Sequence, residues 1–245
     1  MLDFKPLFDV GEGEPIILLS GLIGNLGNWG RVAYEFTSSH RILIPRLPFF
    51  QTPLAPSRLN DLVTYVEEFV EAHSLDKVIV IGNSLGGHIA LHYAWRQPSK
   101  VRRLILASSS GIFENFEEYA LPNEFDVHSN FSVSHNTIYH RRVAANETNS
   151  MEFFQRGSGL FNLADRRQVE PSSQHYSECF MLHHIYAPTL LIWGVNDAIT
   201  PPEVALAFHE HLPQSKIIFL DQCGHLPMID QPKLFNQHVR EFLER

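Results

Sequence analysis

A serine stands between two closely spaced glycines in the run Ile81 to Gly87, which reads IGNSLGG. An apolar β-branched run precedes this serine and a helical pattern follows it, which predicts a turn from a strand into a helix. A nucleophile on so tight a turn needs glycines two residues before and two residues after it, because side chains at those positions would collide. The pattern therefore predicts Ser84 as a nucleophile, although the five-residue motif alone is weak evidence without partners elsewhere in the chain.

Serine is a poor nucleophile at neutral pH, so the motif requires a general base and a group that orients the base. Of the 14 histidines, His225 is the best candidate because it follows the last apolar strand, where a loop can place it at the carboxyl edge of the sheet. Asp197 ends the preceding apolar strand at the same edge and gives the chain order Ser, Asp, His. Asp221 is the alternative acid, and we expect it to close the turn at the end of its strand instead.

Six short apolar runs predict the strands that position these side chains. They are Ile16 to Ser20, Arg41 to Pro45, Lys77 to Gly82, Arg102 to Ala107, Thr189 to Trp193 and Lys216 to Leu220. Apolar residues at helical spacing predict helices over Leu59 to Val70, after Ser84, and over Leu234 to Phe242. Thr200 and Pro201 predict the N-cap and the first residue of a further helix. This alternation predicts an α/β fold: a mostly parallel central sheet with helices on both faces.

The segment from Ser110 to Tyr186 interrupts the alternation of strands and helices and is rich in aromatic residues. A compact domain seldom holds so long a connection unless it is a lid or a binding element. The sequence therefore predicts a core of residues 1–109 and 187–245 with a mainly helical cap inserted at 110–186. The aromatic side chains of the cap can line an apolar pocket or pack the cap onto the core, and both can be true at once.

Composition and charge limit the partners of the chain. Hydrophobic residues make up 44% and charged residues 19% of the 245 residues, as in ordinary globular proteins. The formal charge of −8 disfavours nucleic acid and anionic membranes as partners, so a small-molecule substrate is expected. Cys179 and Cys223 have neither metal-ligand spacing nor the density of a disulfide scaffold. Since neither the amino terminus nor the apolar stretch from Ile16 fits a signal peptide or a membrane span, we expect a soluble, cytoplasmic protein.

The serine turn and its two distant partners resemble the α/β-hydrolase family, specifically its small enzymes that carry a cap. The resemblance extends from Ile16 to Phe242 and does not include the cap. The residues Ser20, Gly21 and Leu22 match the loop that forms the oxyanion hole in the family, although the usual histidine of that loop is missing. The resemblance implies that the backbone N–H groups of Leu22 and Leu85 hold the oxyanion.

The resemblance implies acyl transfer through an acyl-enzyme on Ser84, with no metal or organic cofactor required. A serine at this position argues against the epoxide hydrolases and haloalkane dehalogenases of the family, which need a carboxylate there. A small, largely apolar ester or thioester is therefore the expected substrate. Asn83 and Trp29, the latter in the oxyanion loop, also resemble the carbon–carbon bond hydrolases of ring-opened aromatic acids, in which a tryptophan usually replaces Leu226. These three residues are the predicted members of the substrate pocket.

Two alternatives to ester hydrolysis stay open. Carbon–carbon bond cleavage would need a cationic cap residue for the substrate carboxylate, and Arg141, Arg142 and Arg156 are candidates unless they lie on a solvated helix face. Arg46 to Gln51 departs from the turn that is usual in the family, so the substrates of relatives do not transfer directly to this chain. The other alternative is a hydrolase-like protein that binds a ligand without turnover, which an intact triad disfavours.

Overall fold

A computed structural model describes residues 4–21, 26–52, 55–56, 58–112 and 179–245 of the chain. Its strands are β1 (Phe8–Val10), β2 (Glu14–Leu19), β3 (His40–Ile44), β4 (Phe50–Thr52), β5 (Ala55–Pro56), β6 (Val78–Ser84), β7 (Val101–Ser109), β8 (Thr189–Gly194) and β9 (Ser215–Leu220). Its helices are α1 (Leu26–Phe36), α2 (Leu59–Ala72), α3 (Leu85–Arg96), α4 (Pro202–His211), α5 (Pro227–Asp230) and α6 (Pro232–Leu243).

The central sheet has seven strands in the order β1-β3-β2-β6-β7-β8-β9. Neighbouring strands from β3 to β9 pair in parallel, and β1 pairs with β3 antiparallel at one edge. The predicted α/β fold with a mostly parallel sheet is therefore confirmed, and each of the six predicted strands lies within about two residues of its observed bounds. The separate β4–β5 pair forms a short antiparallel ribbon.

The strand order reverses between β2 and β6. The chain passes from β2 to β3 on one side, and then crosses back to place β6 on the other side of β2. Ligand sites of open α/β sheets lie outside the carboxyl ends of the strands at such a switch point, because the loops diverge there and leave a crevice. Ser84 ends β6 and Gly21 follows β2, so both border this crevice.

The sequence patterns did not predict β1 or α1. β1 has three residues, two of which are exposed, so it lacks the apolar run by which the other strands are recognised. Helix α1 begins with the run Leu26 to Gly30, which contains two glycines and an asparagine, and these residues have low helix propensity. Burial of four apolar side chains of α1 against the sheet stabilises the helix instead: Trp29, Val32, Ala33 and Phe36.

Apolar side chains pack against both faces of the sheet. Residues of α2, α3 and α4 cover one face, and residues of α1, α5 and α6 cover the other. Successive residues of β2 enter opposite clusters, with Ile17 and Leu19 facing α2 and α3 while Ile16 and Leu18 face α1. This alternation follows from the two-residue period of a strand, and it explains why the central strands are apolar throughout.

Most of the predicted cap, residues 113–178, lies outside the described residues. The described end of that insertion contains a helical turn at 179–183. Met181 and Leu182 are buried in the cluster that also contains α2, α3 and α4. The division of the chain into a core and a cap at 110–186 stays a prediction.

The described helices are short. The longest of them, α2, has 14 residues, fewer than the roughly 20 that a helix needs to cross a bilayer. Across the described ranges, the structure has no helix that combines the length and the apolar character of a membrane span.

A histidine pair on α3, with His88 buried and His92 half-buried, makes the fold sensitive to acid. The rings of His88 and His92 lie 5.1 Å apart between centroids. Burial, and then the charge of Arg96, lowers the pKa of His92 to about 4. An unfolded chain has a histidine pKa of about 6.5, so it binds a proton that the folded chain does not bind as the pH falls from about 6.5 towards 4. The stability contributed by the neutral ring is therefore complete above about pH 6.5 and is lost below it.

We expect the pH dependence of stability to decrease in His92→Leu. Between pH 7 and pH 5 the wild type should lose about 2 kcal/mol of unfolding free energy through this residue, and the variant should not. Urea unfolding at the two pH values measures the difference, with the exposed His209→Leu as the matched control. The same acid sensitivity in His92→Leu and the wild type would contradict the assignment.

Candidate active site

Ser84 is the last residue of β6 and lies directly before α3. Its backbone angles are φ 54° and ψ −124°, a conformation that residues other than glycine rarely adopt. Such a residue costs about 1–3 kcal/mol and persists only where the surrounding packing fixes it. The predicted strand-to-helix turn is therefore present, and its strain is located at the serine itself.

Crowding around Ser84 explains the glycines of the motif. A Cβ atom on Gly86 would lie 2.1 Å from the carbonyl oxygen of Leu19, and one on Gly82 would lie 2.4 Å from the carbonyl oxygen of Gly86. A Cβ on Gly21 would lie 2.9 Å from the Cβ of Ser84. Because most of these neighbours are backbone atoms of packed elements, they cannot move aside. The three glycines allow α3, β6 and the segment after β2 to approach each other around the serine.

Asp197 and His225 contact each other directly. The Nδ1 atom of His225 lies 3.0 Å from Oδ2 and 3.1 Å from Oδ1 of Asp197. The Asp197 side chain is fully buried and that of His225 is 10% exposed. The backbone N–H groups of Ile199 and Thr200 donate to Oδ1 of Asp197 at 2.9 and 3.0 Å. These bonds satisfy a carboxylate that water cannot reach, and they fix its orientation towards the imidazole.

The loops that carry the acid and the histidine are packed closely together. A Cβ on Gly194, at the end of β8, would lie 2.2 Å from the carbonyl oxygen of Gly224. The N–H of Asn196 donates to the carbonyl oxygen of Cys223 at 2.9 Å. Neighbouring parallel strands β8 and β9 thus deliver Asp197 and His225 to one point of the carboxyl edge.

Asp221, the alternative acid, is exposed in the turn that follows β9. Its carbonyl oxygen accepts a hydrogen bond from Nε2 of Gln231 at 3.1 Å. The carboxylate that contacts the imidazole is that of Asp197, as the position of this residue at a strand end predicts.

Thr200 is a member of the site that sequence reasoning missed. The sequence predicts Thr200 as a helix N-cap, but this is wrong by one residue, because Pro201 is the N-cap of α4 and Pro202 its first residue. The Thr200 hydroxyl instead lies 2.9 Å from Oδ2 of Asp197, 3.2 Å from Nδ1 of His225 and 3.2 Å from the carbonyl oxygen of Ser108. Two of these partners, His225 and Ser108, lie 25 and 92 positions away in the chain, so no local sequence pattern could have indicated them.

Asn83 connects the serine turn to the histidine loop. Its side-chain amide donates to the carbonyl oxygens of Ala107 at 2.8 Å and of His225 at 3.1 Å. The residue is only 2% exposed. The N–H of Ser110 also donates to the carbonyl oxygen of Ser84 at 3.2 Å. The serine turn, the end of β7 and the histidine loop are therefore joined by hydrogen bonds, while the predicted role of Asn83 in the substrate pocket stays a prediction.

Trp29 and Leu226, the other predicted pocket residues, both pack against the sheet face covered by α1. The resemblance implied that Trp29 lies in the oxyanion loop, but the residue lies in α1. Its buried indole anchors that helix to the sheet. Its ring N–H donates to Oγ of Ser20 at 3.0 Å, which supports the segment after β2. Leu226 follows His225 and is partly buried against the same cluster. Their contact with substrate stays a prediction.

Of the two predicted oxyanion donors, the structure describes Leu85 but not Leu22. Leu85 is the first residue of α3 and is 5% exposed. Backbone N–H groups in the first turn of a helix lack carbonyl partners within that helix, so they can donate to an anion. Leu22 lies outside the described residues, as do the cap arginines Arg141, Arg142 and Arg156.

A parallel sheet with a serine on a strained strand-to-helix turn, and an Asp–His pair at the same edge, defines the class of α/β-fold hydrolases. The model of the "Alpha/beta hydrolase family" matches residues 16–238 of the chain. The chain belongs to the α/β hydrolase family and is a hydrolase.

Curated relatives and solved structures resemble almost the whole chain. It is 26% identical over 261 residues to the 2-hydroxy-6-oxo-2,4-heptadienoate hydrolase of Pseudomonas putida, covering 97% of this chain and 91% of that protein. It is also 26% identical over 237 residues to Lipase 3 of a Moraxella species, covering 90% of this chain and 74% of that protein. The crystal structure of MGS-MChE2, an α/β hydrolase enzyme from the metagenome of lagoon sediments at Mar Chica, Morocco, shares 30% identity and a TM-score of 0.69, covering 97% of this chain and 93% of that one.

We expect alanine at Gly86 to disrupt the serine turn and alanine at Gly30 to be tolerated. The new Cβ at Gly86 would meet backbone atoms of β2 at 2.1 Å, so α3 would have to move and stability should fall by about 3 kcal/mol or more. Gly30 also lies in a helix, but its Cβ would have no neighbour within 4 Å. Gly30→Ala should therefore raise stability by about 0.5–1 kcal/mol. Thermal unfolding of both variants provides the measurement, and a wild-type melting temperature for Gly86→Ala would refute the packing argument.

Proposed function

We propose that the chain is a serine hydrolase that cleaves a small, largely apolar ester or thioester through an acyl-enzyme on Ser84. The observation that supports this proposal most directly is the 3.0 Å contact between Asp197 and His225, at the sheet edge where β6 also ends in Ser84. In this proposal His225 is the general base, and Asp197 orients it and stabilises its protonated form.

The Asp197 contact selects the tautomer that the reaction needs. Because the carboxylate accepts a hydrogen bond from Nδ1 of His225, the neutral imidazole carries its proton on Nδ1 and presents the lone pair of Nε2. Nε2 takes the proton of the Ser84 hydroxyl while Oγ forms a bond to the carbonyl carbon of the substrate. The protonated imidazole then gives this proton to the leaving group as the bond to that group breaks, which leaves the acyl group on Ser84.

Water completes the cycle. His225 takes a proton from a water molecule while the water oxygen attacks the acyl carbon. The imidazole then returns the proton to Oγ of Ser84 as the acid is released. In both halves the N–H groups of Leu85 and Leu22 hold the oxyanion. The start of α3 supports the first assignment, because the positive end of the helix dipole lies there. The packing of Gly21 against Ser84 supports the second, since Leu22 follows directly.

A second candidate activity is the hydrolysis of a carbon–carbon bond in ring-opened aromatic acids. It is favoured by the similarity to the 2-hydroxy-6-oxo-2,4-heptadienoate hydrolase over 97% of the chain. It is disfavoured by Leu226, which stands where enzymes of this kind usually have a tryptophan. We therefore place ester hydrolysis first.

The proposed partner is a small-molecule substrate, and the proposed compartment is the cytoplasm. Cys179 and Cys223 are not joined in a disulfide, which is the usual state of cysteines in a reducing compartment. The formal charge of −8 disfavours polyanionic partners.

Ser84→Ala should lose hydrolytic activity and labelling together. A fluorophosphonate reacts with a serine that has been activated by its base, so it should label the wild type and the exposed-site control Ser99→Ala, but not Ser84→Ala. Turnover should fall on the order of 10⁶-fold, as for nucleophiles that act as a unit with their base. Failure of the folded wild type to label would contradict the mechanism and favour a ligand-binding protein without turnover.

Ester and carbon–carbon cleavage can be separated with two substrate series. We expect turnover of p-nitrophenyl esters whose acyl length is varied, and no turnover of a vinylogous ring-fission acid above the level of Ser84→Ala. The esters present a carbonyl to Ser84 without requiring a cationic group for a substrate carboxylate. Steady-state kcat/KM for both series provides the comparison, and turnover of the acid alone would replace the ester proposal with the second candidate.

A further inference from the structure

The hydroxyl group of Thr200 touches both members of the acid–base pair. It lies 2.9 Å from Oδ2 of Asp197 and 3.2 Å from Nδ1 of His225. The residue is 1% exposed, so its hydroxyl bonds to protein groups and not to bulk water. We propose that Thr200 is a positioning residue: its hydrogen bond to Asp197 reduces the stabilisation that this carboxylate gives to the imidazolium of His225. The imidazole therefore keeps its basic form at lower pH. This inference rests on the proposed function of the site.

The proton of the Thr200 hydroxyl has two acceptors within reach. One is Oδ2 of Asp197 at 2.9 Å and the other is the carbonyl oxygen of Ser108 at 3.2 Å. A charged acceptor at the shorter distance forms the stronger bond, so the hydroxyl donates to the carboxylate. Nδ1 of His225 donates to the same carboxylate at 3.0 Å, since a hydroxyl oxygen at 3.2 Å is the weaker acceptor. Asp197 therefore receives bonds from two side chains in addition to its two backbone donors.

Competition between these two donors has a direct electrostatic consequence. A hydrogen bond donated to a carboxylate stabilises its negative charge, and less of that charge is then available to a neighbouring cation. With the Thr200 hydroxyl in place, Asp197 orients His225 but stabilises the imidazolium less strongly. Without the hydroxyl, the buried carboxylate has one donor fewer and must rely more on His225, so the imidazole becomes easier to protonate.

Ser108, near the end of β7, also lies against the Thr200 hydroxyl. Its backbone lies in the left-handed region at φ 47°, and the residue is fully buried. A non-glycine residue in this region costs about 1–3 kcal/mol and is kept only where packing fixes it. This backbone conformation accompanies a 3.2 Å contact from the Ser108 carbonyl oxygen to the Thr200 hydroxyl. The end of β7 and the acid loop after β8 thus enclose the hydroxyl between them.

Three other titratable groups lie on the histidine loop and the helix after it: Asp221, which is exposed, Cys223 and Asp230. Burial, followed by the charges of Asp230 and Asp197, raises the pKa of the Cys223 thiol, which therefore stays neutral. Oδ2 of Asp230 accepts a hydrogen bond from the N–H of Gly224 at 2.8 Å. The contacts of the Thr200 hydroxyl given above do not include these three groups, and all three are retained in variants of Thr200. A change in pH dependence between such variants is therefore due to the hydroxyl.

Thr200→Val and Thr200→Ser form the matched pair that tests this role. Valine keeps the shape and the backbone N–H but removes the hydroxyl, whereas serine keeps the hydroxyl and removes the methyl group. We expect the acid limb of the pH profile of kcat/KM to move up by about 0.5–1 pH unit in Thr200→Val. The limb should stay at the wild-type position in Thr200→Ser. Equal shifts in the two variants, or an unchanged or lowered limb in Thr200→Val, would overturn the proposal.

A titration without turnover separates this inference from the proposed function. In the Ser84→Ala background, NMR of the His225 ring nitrogens reports protonation directly, and adding Thr200→Val should raise the titration midpoint by the same amount. Thr200→Ala provides a second hydroxyl-free variant if valine prevents folding. An unmoved midpoint refutes the role of the threonine, whereas a wild type that fluorophosphonate does not label refutes the serine hydrolase.

Discussion

A carboxylate buried away from water must be surrounded by hydrogen-bond donors, and the candidate site is organised around this requirement at Asp197. Two backbone N–H groups and the Thr200 hydroxyl come from the three residues that follow the acid. The remaining donor, His225, comes from the loop after the next strand. The acid therefore does more than orient one imidazole: it joins the loops after β8 and β9, and the tight packing at Gly194 leaves those loops little freedom.

The serine turn is held by a different means, which is steric. Contacts at Gly21, Gly82 and Gly86 press α3 and the segment after β2 against the end of β6. Ser84 keeps its positive φ because the packing of these elements restricts the backbone at this position. Asn83 then connects the two systems, since its amide bonds both to β7 and to the backbone of His225. Steric contacts thus fix the serine turn, and hydrogen bonds fix Asp197 and His225. The Asn83 side chain links these two parts of the site.

The sequence predicted the parts of the site that depend on local patterns. The glycine spacing was sufficient to predict the strand-to-helix turn at Ser84. The strand-end positions of Asp197 and His225 were sufficient to predict that these two side chains meet, because a parallel sheet brings its carboxyl ends to one edge. The contacts of Thr200 with Ser108 and His225 could not be predicted in the same way, since these partners lie 92 and 25 positions away in the chain. Trp29 was placed in a loop because the resemblance gave no sign of α1, whose glycines conceal its helical pattern. β1 escaped prediction because three residues are too few to show a period.

The hydrogen bond from Asn83 to the carbonyl oxygen of His225 joins residues that are 142 positions apart, so the candidate site can form only late in folding. The half of the site that carries the serine is synthesised long before the half that carries the histidine. The two halves meet only when β8 has paired with β7, from Leu104 against Thr189 to Ala107 against Ile192. Closing so long a loop costs entropy that only the completed sheet can offset. A nascent or truncated chain that ends before β8 would therefore carry the strained serine without Asp197 and His225, and the candidate site would be complete only when the last quarter of the polypeptide has docked.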